Sequence, residues 1–337
     1  MRVGYGAGMR KPRALAQAGR SGLYHVCSRV VDRRVVFFAR ERRKFLALVK
    51  GGAAFAGVDV VSWCLMGNHF HLLVRIPPQD PESLGDEEVL ARMEHIYSAL
   101  RMRSFRAVWE SLSDEEARRA YLAPFRARIG SLSEYVKTLK QRFTQWFNAR
   151  KNREGTLWEG RFHSVMLAHN ERDEGGEGLG LLARFVAGYI DLNPVRAKLV
   201  GEAGQSDWSG YGAALRGDAE GMAGLRVLWG VGRCGELEDA EVLEVHRGML
   251  ERARFRDKCK GSGEGAAHDS GDDSRDVRAS RDKPQDDQHD GRDLEAEEDK
   301  SWSAGLESRL LSQMGERCLD LTKGRILAGR WVRSRAG

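Results

Sequence analysis

The chain has 337 residues, 41% of them apolar, five cysteines and a formal net charge of +6, which is enough apolar material for at least one sizeable core. The cysteines are odd in number and lack C-x-x-C spacing, which argues against a structural zinc and for a reducing compartment. No apolar run reaches a signal-peptide core or the roughly 18 residues of a membrane span, so a soluble cytoplasmic protein is expected. The charge is uneven: residues 1–50 carry thirteen Lys or Arg against two acids, and residues 262–300 carry fourteen Asp or Glu against six bases, so the N-terminal region suits nucleic acid or an acidic membrane surface.

In chain order, Met9 is a second candidate start, and Arg10, Lys11 and Arg13 belong to the basic N-terminal arm. Gly22 to Val30 is rich in β-formers and alternates Tyr24, Val26 and Ser28 against Leu23, His25 and Cys27, which predicts a first strand. Asp32, Arg33 and Arg34 predict a turn, and Phe45, Leu46, Leu48, Val49 and Ala53 recur at helical spacing over Arg40 to Phe55, closed by Gly57. Val58 to Leu65 is β-rich again. Met66-Gly67-Asn68 then predicts the turn of a hairpin.

The second arm of that hairpin places His69 and His71 two residues apart, hence on one face of a strand. Phe70, Leu72, Val74 and Ile76 form an apolar opposite face. Two neutral imidazoles on neighbouring positions suit a divalent ion, although two ligands rarely complete a site. Taken alone, the pair also reads as polar residues on an open sheet face. His25 shares that face if the two strands are neighbours, and reads equally as a hydrogen-bonded structural histidine.

Pro77-Pro78 ends the strand, and residues 79–130 are charged and helical in tendency. They read as an insertion of two helices, around Glu87 to Leu100 and Asp114 to Tyr121. Ser131 with Glu134 has capping-box spacing, and Tyr135, Val136, Leu139, Phe143, Trp146 and Phe147 mark a long helix to about Arg150. Its expected exposed face carries Lys137, Lys140, Arg142 and Arg150, running on to Lys151, Arg153 and Arg161. Basic residues interleaved with aromatics suit a phosphate backbone and stacked bases, and equally a solvated helix face over core aromatics. Phe162 to Leu167 predicts another strand, and a glycine-rich acidic loop follows.

Leu182, Phe185 and Val186 then set a helical period, and Pro194 makes Asn193 the expected last helical residue. Tyr189 and Asn193 lie four apart, on one helix face. An Asn amide oxygen can ligate magnesium or manganese, and such a pair at a helix end is also an ordinary structural arrangement. Trp208-Ser209-Gly210-Tyr211 reads as a docking segment, and a helix is expected over Leu237 to Phe255. Residues 260–300 have too few apolar side chains to offset ordering entropy and are expected to be disordered. Residues 301–337 read as a small basic helical tail.

Four of these motifs together resemble the single-tyrosine HUH transposases, in particular the REP-associated tyrosine transposases. They are Tyr24-His25-Val26, the run from Cys64 to Val74 that contains Asn68-His69-Phe70-His71, Leu157-Trp158-Glu159-Gly160-Arg161-Phe162, and Tyr189-Ile190-Asp191-Leu192-Asn193-Pro194-Val195-Arg196. The resemblance covers about residues 10–215. It implies an α+β fold, a ferredoxin-like βαββαβ core with a central antiparallel sheet and the tyrosine on a following helix. The domain order is then a catalytic domain over 10–215 with 79–130 as a helical insertion, a helical extension over 216–259, the acidic linker and the tail.

The chemistry the resemblance implies is cleavage and strand transfer of single-stranded, hairpin-forming DNA through a 5′-phosphotyrosine intermediate. Tyr189 would be the nucleophile, and His69, His71 and Asn193 would hold Mg2+ or Mn2+. Arg10, Lys11, Arg13, Lys140, Arg142, Lys151, Arg153 and Arg161 would meet DNA. Relatives occur as monomers and as dimers, so a homodimer is compatible with one tyrosine per chain. Gly67 stands where relatives commonly have proline, and Asn193 where some present the longer glutamine. The competing readings are a domesticated DNA-binding protein that cuts nothing and a metal-dependent hydrolase that uses water.

Overall fold

The computed structural model describes residues 20–167, 179–230, 238–261 and 326–327. A mixed α+β fold is built on an antiparallel sheet in the order β2-β3-β1-β4-β5. Its core strands are β1 (Gly22–Arg29), β2 (Asp59–Leu65), β3 (His69–Ile76) and β4 (His163–Leu167). Helix α1 (Ala39–Ala56) connects β1 to β2, and α5 (Leu132–Lys151) precedes β4. The order is that of a ferredoxin-like βαββαβ unit, as expected. The two-residue β5 (Ile326–Leu327) pairs with Met166 and Leu167 of β4. Those two residues are the described part of the tail and are strand, not helix. Residues 262–300, where disorder was expected, lie outside the described residues.

Alternation along β3 sorts the molecule into two cores. Phe70, Leu72 and Val74 pack with Tyr24 and Val26 of β1 against Phe45 and Val49 of α1 and Val136, Leu139 and Phe143 of α5. Burying each such side chain contributes about 1.5–3 kcal/mol. Helix α5 starts where the capping pattern placed it: Ser131 Oγ accepts from the Glu134 backbone N–H at 3.3 Å. Gly57 ends α1 in the left-handed conformation, φ 65°, that glycine adopts without steric cost.

The opposite face of the sheet is not open. A second core of Leu23, Cys64, Leu73 and Leu167 is covered by Val186, Ile190 and Leu192 of α6 (Leu181–Arg196). Helices α7 (Gly210–Leu215), α8 (Ala219–Trp229) and α9 (Asp239–Gly261) complete that layer. The chain beyond 215 is therefore packed into the same body through Leu225, Leu228, Val242 and Leu250. Glycine permits the closest approach: a Cβ on Gly224 of α8 would lie 2.5 Å from the Val61 carbonyl oxygen of β2. The Trp208 segment docks as its composition suggested, with Leu65 N–H donating to the Trp208 carbonyl at 3.0 Å.

Three local expectations are corrected. The insertion holds three helices, α2 (Asp86–Glu94), α3 (Ala99–Ser111) and α4 (Glu115–Arg126). Ser98 breaks the first expected helix by capping α3 through the Arg101 N–H. Buried Arg126 fixes α4 by donating to Asp86 and to the Leu84 carbonyl. Helix α6 runs three residues past Asn193, with Pro194 inside it and Arg196 as its last residue. The helical extension expected over 216–259 begins with a separate helix, α8, ahead of the one placed at Leu237 to Phe255; its Asp218 cap accepts from Gly221 N–H, and Met222, Leu225 and Leu228 recur at helical spacing. Among the described residues no helix is long and apolar enough to cross a membrane.

Candidate functional site

Strand pairing decides what surrounds the histidines. In register, His71 lies between Cys27 of β1 and Cys64 of β2, and His69 lies opposite Arg29. All of these positions share the face that α6 covers. His25 on β1 joins them: its Nε2 is 3.1 Å from His71 Nδ1, and the two rings stack with centroids 5.2 Å apart. The structural reading of His25 and the functional one thus meet in one residue, because the partner it bonds is His71.

The proton positions follow from the partners. Asn68 Nδ2 donates to the Arg33 carbonyl at 3.1 Å, which fixes the amide so that Oδ1 faces His69 Nδ1 at 2.6 Å. A carbonyl oxygen only accepts, so His69 carries its proton on Nδ1 and keeps a lone pair on Nε2. If His71 Nδ1 likewise donates to His25, the lone pair of His71 also sits on Nε2, the arrangement in which ligating histidines are normally held.

Burial keeps these rings neutral. It pulls His25 down to about 4, and pulls His69 to about 3 with help from the Arg29 cation. His71 is held well below its ordinary value by burial first, then by His69, His25 and Arg29. The folded pKa values lie below the unfolded value of 6.5. Stability is therefore complete above pH 6.5 and is lost as the pH falls towards 4 and then 3, because only the unfolded chain takes up protons there. The urea midpoint is expected to be clearly lower at pH 5 than at pH 7.5, and a midpoint that does not change would contradict the buried neutral rings.

Helix α6 brings the tyrosine to the same pocket. Tyr189 is 5% exposed, with its ring centroid 5.9 Å from His71 and 6.0 Å from His25, edge-on to both. Asn193, one turn further, is buried, and its Nδ2 has no hydrogen-bond partner. Sequence reasoning gave Arg196 no role. Its guanidinium lies 5.1 Å from the Tyr189 ring centroid, and Nη1 donates to the Tyr189 carbonyl at 3.1 Å.

The far side of α6 is anchored through Asp191. Its carboxylate accepts from Ser62 Oγ at 3.3 Å, from Tyr211 N–H at 3.4 Å and from His246 Nε2 at 3.1 Å. Trp229 Nε1 donates to His246 Nδ1 at 3.3 Å, so His246 is a neutral imidazole with its proton on Nε2. This polar network ties β2, α7, α8 and α9 to the tyrosine helix. Gly188, the residue before Tyr189, lets Met249 of α9 come within 3.1 Å of where a Cβ would be. Neither Asp191 nor His246 was singled out from the sequence.

A divalent ion can be tested against these donors. Among the described residues no group of three or more His, Cys, Asp or Glu has the arrangement of a metal site. The two imidazoles lie edge to face with ring centroids 5.1 Å apart, and the Asn193 amide nitrogen on α6 is buried without a hydrogen-bond partner. Cys27 is no competitor, since burial pushes its thiol up to about 12. The donor set fits an ion whose remaining positions are filled by water and phosphate oxygens.

The expected DNA-binding cations divide. Arg10, Lys11 and Arg13 lie outside the described residues. Lys140 is not on an exposed face: it is 8% exposed, donates to Ser28 Oγ at 2.7 Å and to the Gly160 carbonyl at 2.8 Å, and lies 5.1 Å from the Trp158 ring. Arg142 donates to the Ile96 carbonyl and covers Tyr97, and Arg153 closes the turn after α5 through Asn148 and Thr156. Lys151 and Arg161 are exposed. Arg161 lines a cleft of about 640 Å³ with Lys137, Gln141 and Trp158, on the face of the sheet opposite the histidines.

Residues 20–84 match the family model described as "Transposase IS200 like". No curated protein matches the chain. Among solved structures, the fold is similar to that of a REP-associated tyrosine transposase bound to a REP hairpin, with a TM-score of 0.34 and 13% identity over 62% of this chain and 86% of that one. The segment that matches the family model contains β1, α1, the hairpin and both histidines, about a fifth of the chain.

Proposed function

We propose that this protein cuts and rejoins single-stranded DNA, with Tyr189 as the nucleophile and hairpin-forming repeats as the substrate class. What supports the reading is that Tyr189 of α6 lies edge-on to His71, with ring centroids 5.9 Å apart, and His71 to His69 at 5.1 Å, although the tyrosine and the histidines are more than 110 positions apart in the chain. In the reaction the Tyr189 hydroxyl oxygen bonds to phosphorus and the bond from phosphorus to the 3′ oxygen breaks. The phenol gives up its proton and the leaving oxygen takes one, so the products are a 5′-phosphotyrosine and a free 3′-hydroxyl.

Phenol has a pKa near 10, so the nucleophile needs assistance at neutral pH. His69 Nε2, His71 Nε2 and Asn193 Oδ1 are the atoms that would hold Mg2+ or Mn2+, which when bound supplies positive charge to the phosphate and leaving oxygens. Arg196 holds the Tyr189 ring in place through its guanidinium over the ring and its bond to the Tyr189 carbonyl. Asn68 and His25 orient the two imidazoles, and Asp191 fixes the helix that presents the tyrosine. Because the phosphodiester energy is kept in the phosphotyrosine bond, rejoining requires no nucleotide cofactor.

The test is incubation of the full chain with a labelled single-stranded hairpin library and Mg2+ or Mn2+, followed by denaturing electrophoresis. A covalent protein–DNA adduct is expected that disappears with chelator. A DNA-binding protein that no longer cuts would retain the hairpin and form no adduct, and a hydrolase using water would cut without one.

A further inference from the structure

The segment between β1 and α1 is joined directly to the histidine strand. Val30 N–H donates to the Asn68 carbonyl at 2.8 Å, and Val36 and Phe37 N–H both donate to the Gly67 carbonyl at 2.9 Å. Asn68 completes the link, since one end of its amide holds His69 and the other holds the Arg33 carbonyl. The turn itself is strained: Asp32 and Arg33 adopt φ of 56° and 54°, a region that side-chain-bearing residues rarely occupy. Strain of this kind costs of the order of 1–3 kcal/mol per residue and persists where surrounding bonds enforce it.

The turn presents an unusual surface. Phe38 is 60% exposed and Val35 37% exposed, although Phe37 between them is in the core. Phe38 occupies the N-cap of α1, where its side chain makes no capping bond, so it replaces the Ser or Asp that would serve the helix. Arg33, Arg34, Arg40 and Arg43 are exposed around it, and the acids of the segment are exposed Asp32 and buried Glu41. Exposed Arg161 lies at the same end of the sheet, in the loop whose Trp158 bridges to Val30. An exposed aromatic ring amid guanidinium groups is the chemistry that stacks a base and holds its flanking phosphates.

We propose that the 31–43 turn is a single-strand clamp, in which Phe38 stacks an unpaired base of the DNA and Arg33, Arg34, Arg40 and Arg43 hold the backbone on either side. This rests on the DNA-cutting reading above and adds the requirement for unpaired nucleotides beside the hairpin. The Asn68 bridge makes seating of that strand coincide with orientation of His69.

The test uses full-length Tyr189→Phe protein, so that no strand is cut, and compares a blunt DNA hairpin with the same hairpin carrying a single-stranded tail labelled with 2-aminopurine. Phe38→Ala is expected to weaken binding of the tailed hairpin about tenfold, leave the blunt hairpin unchanged and abolish the fluorescence quenching of the tail. Phe38→Trp is expected to restore both, and Arg34→Ala to flatten the salt dependence for the tailed hairpin. Unchanged affinity for the tailed hairpin, or equal losses on both hairpins, would overturn the clamp. If the protein with Phe38 intact binds neither hairpin, the DNA reading itself fails, which is a separate result.

Discussion

Tyr189→Phe is expected to lower DNA cleavage by at least about a thousandfold, since a nucleophile leaves no substitute when removed. Hairpin affinity should stay within about twofold, because the ring and its packing are retained and only a hydroxyl is lost. Fold stability should change by less than about 1 kcal/mol, in the range of a substitution that makes no cavity and strands no charge. Cleavage by Tyr189→Phe at the wild-type rate would remove the tyrosine from the mechanism and favour water as the nucleophile. The same assay with His71→Ala separates the two halves of the proposed site, since that variant keeps the phenol and loses an imidazole together with its contact to His25.

Asp191→Ala is expected to destabilise the fold by about 3–5 kcal/mol, because three buried donors lose a carboxylate acceptor at about 1–3 kcal/mol each. The Ser62 hydroxyl, the Tyr211 N–H and the His246 N–H would each lose their acceptor inside the protein. Against a typical total of 5–15 kcal/mol, such a loss brings the chain close to unfolding. Asp191→Asn should cost less, about 1–3 kcal/mol. Its amide can still accept from Ser62 and Tyr211, but the amide nitrogen then faces a His246 Nε2 that also donates. His246 can resolve the conflict only by moving its proton to Nδ1, which gives up the bond from Trp229. Chemical denaturation of the two variants measures the difference, and equal, small losses would mean that the network does not hold α6.

Much of the architecture was legible because it is written in local periodicity. The alternation of Phe70, Leu72 and Val74 against His69 and His71 gave the strand and its two faces, and Ser131 with Glu134 gave the start of α5. The spacing of Tyr189 and Asn193 gave a helix that presents both on one side. The parts that were not legible depend on which elements become neighbours. Lys140 repeats with the basic positions of α5, yet strand order places it over β1, where Ser28 and Gly160 take its ammonium. Pro194 signalled a helix end, but the helix continues to Arg196, which then lies over the Tyr189 ring.

The histidine face shows the same limit. It reads as an open face in the sequence, and the second layer that covers it comes largely from α6 to α9, beyond the matched segment. Cys27 and Cys64 flank His71 only through strand pairing. His246 meets Asp191 across 55 residues, a contact with no periodic signature. The layer around Tyr189 is built by the C-terminal helices as much as by the βαββαβ unit.

The residue to which DNA becomes attached tests Tyr189 as the nucleophile most directly. Full-length protein incubated with a single-stranded hairpin substrate and Mn2+, then digested and analysed by mass spectrometry, is expected to yield a phosphonucleotide on the α6 peptide at Tyr189, absent when metal is chelated. A covalent nucleotide on any other residue, or cleaved DNA with an unmodified Tyr189 peptide throughout the reaction, would contradict it.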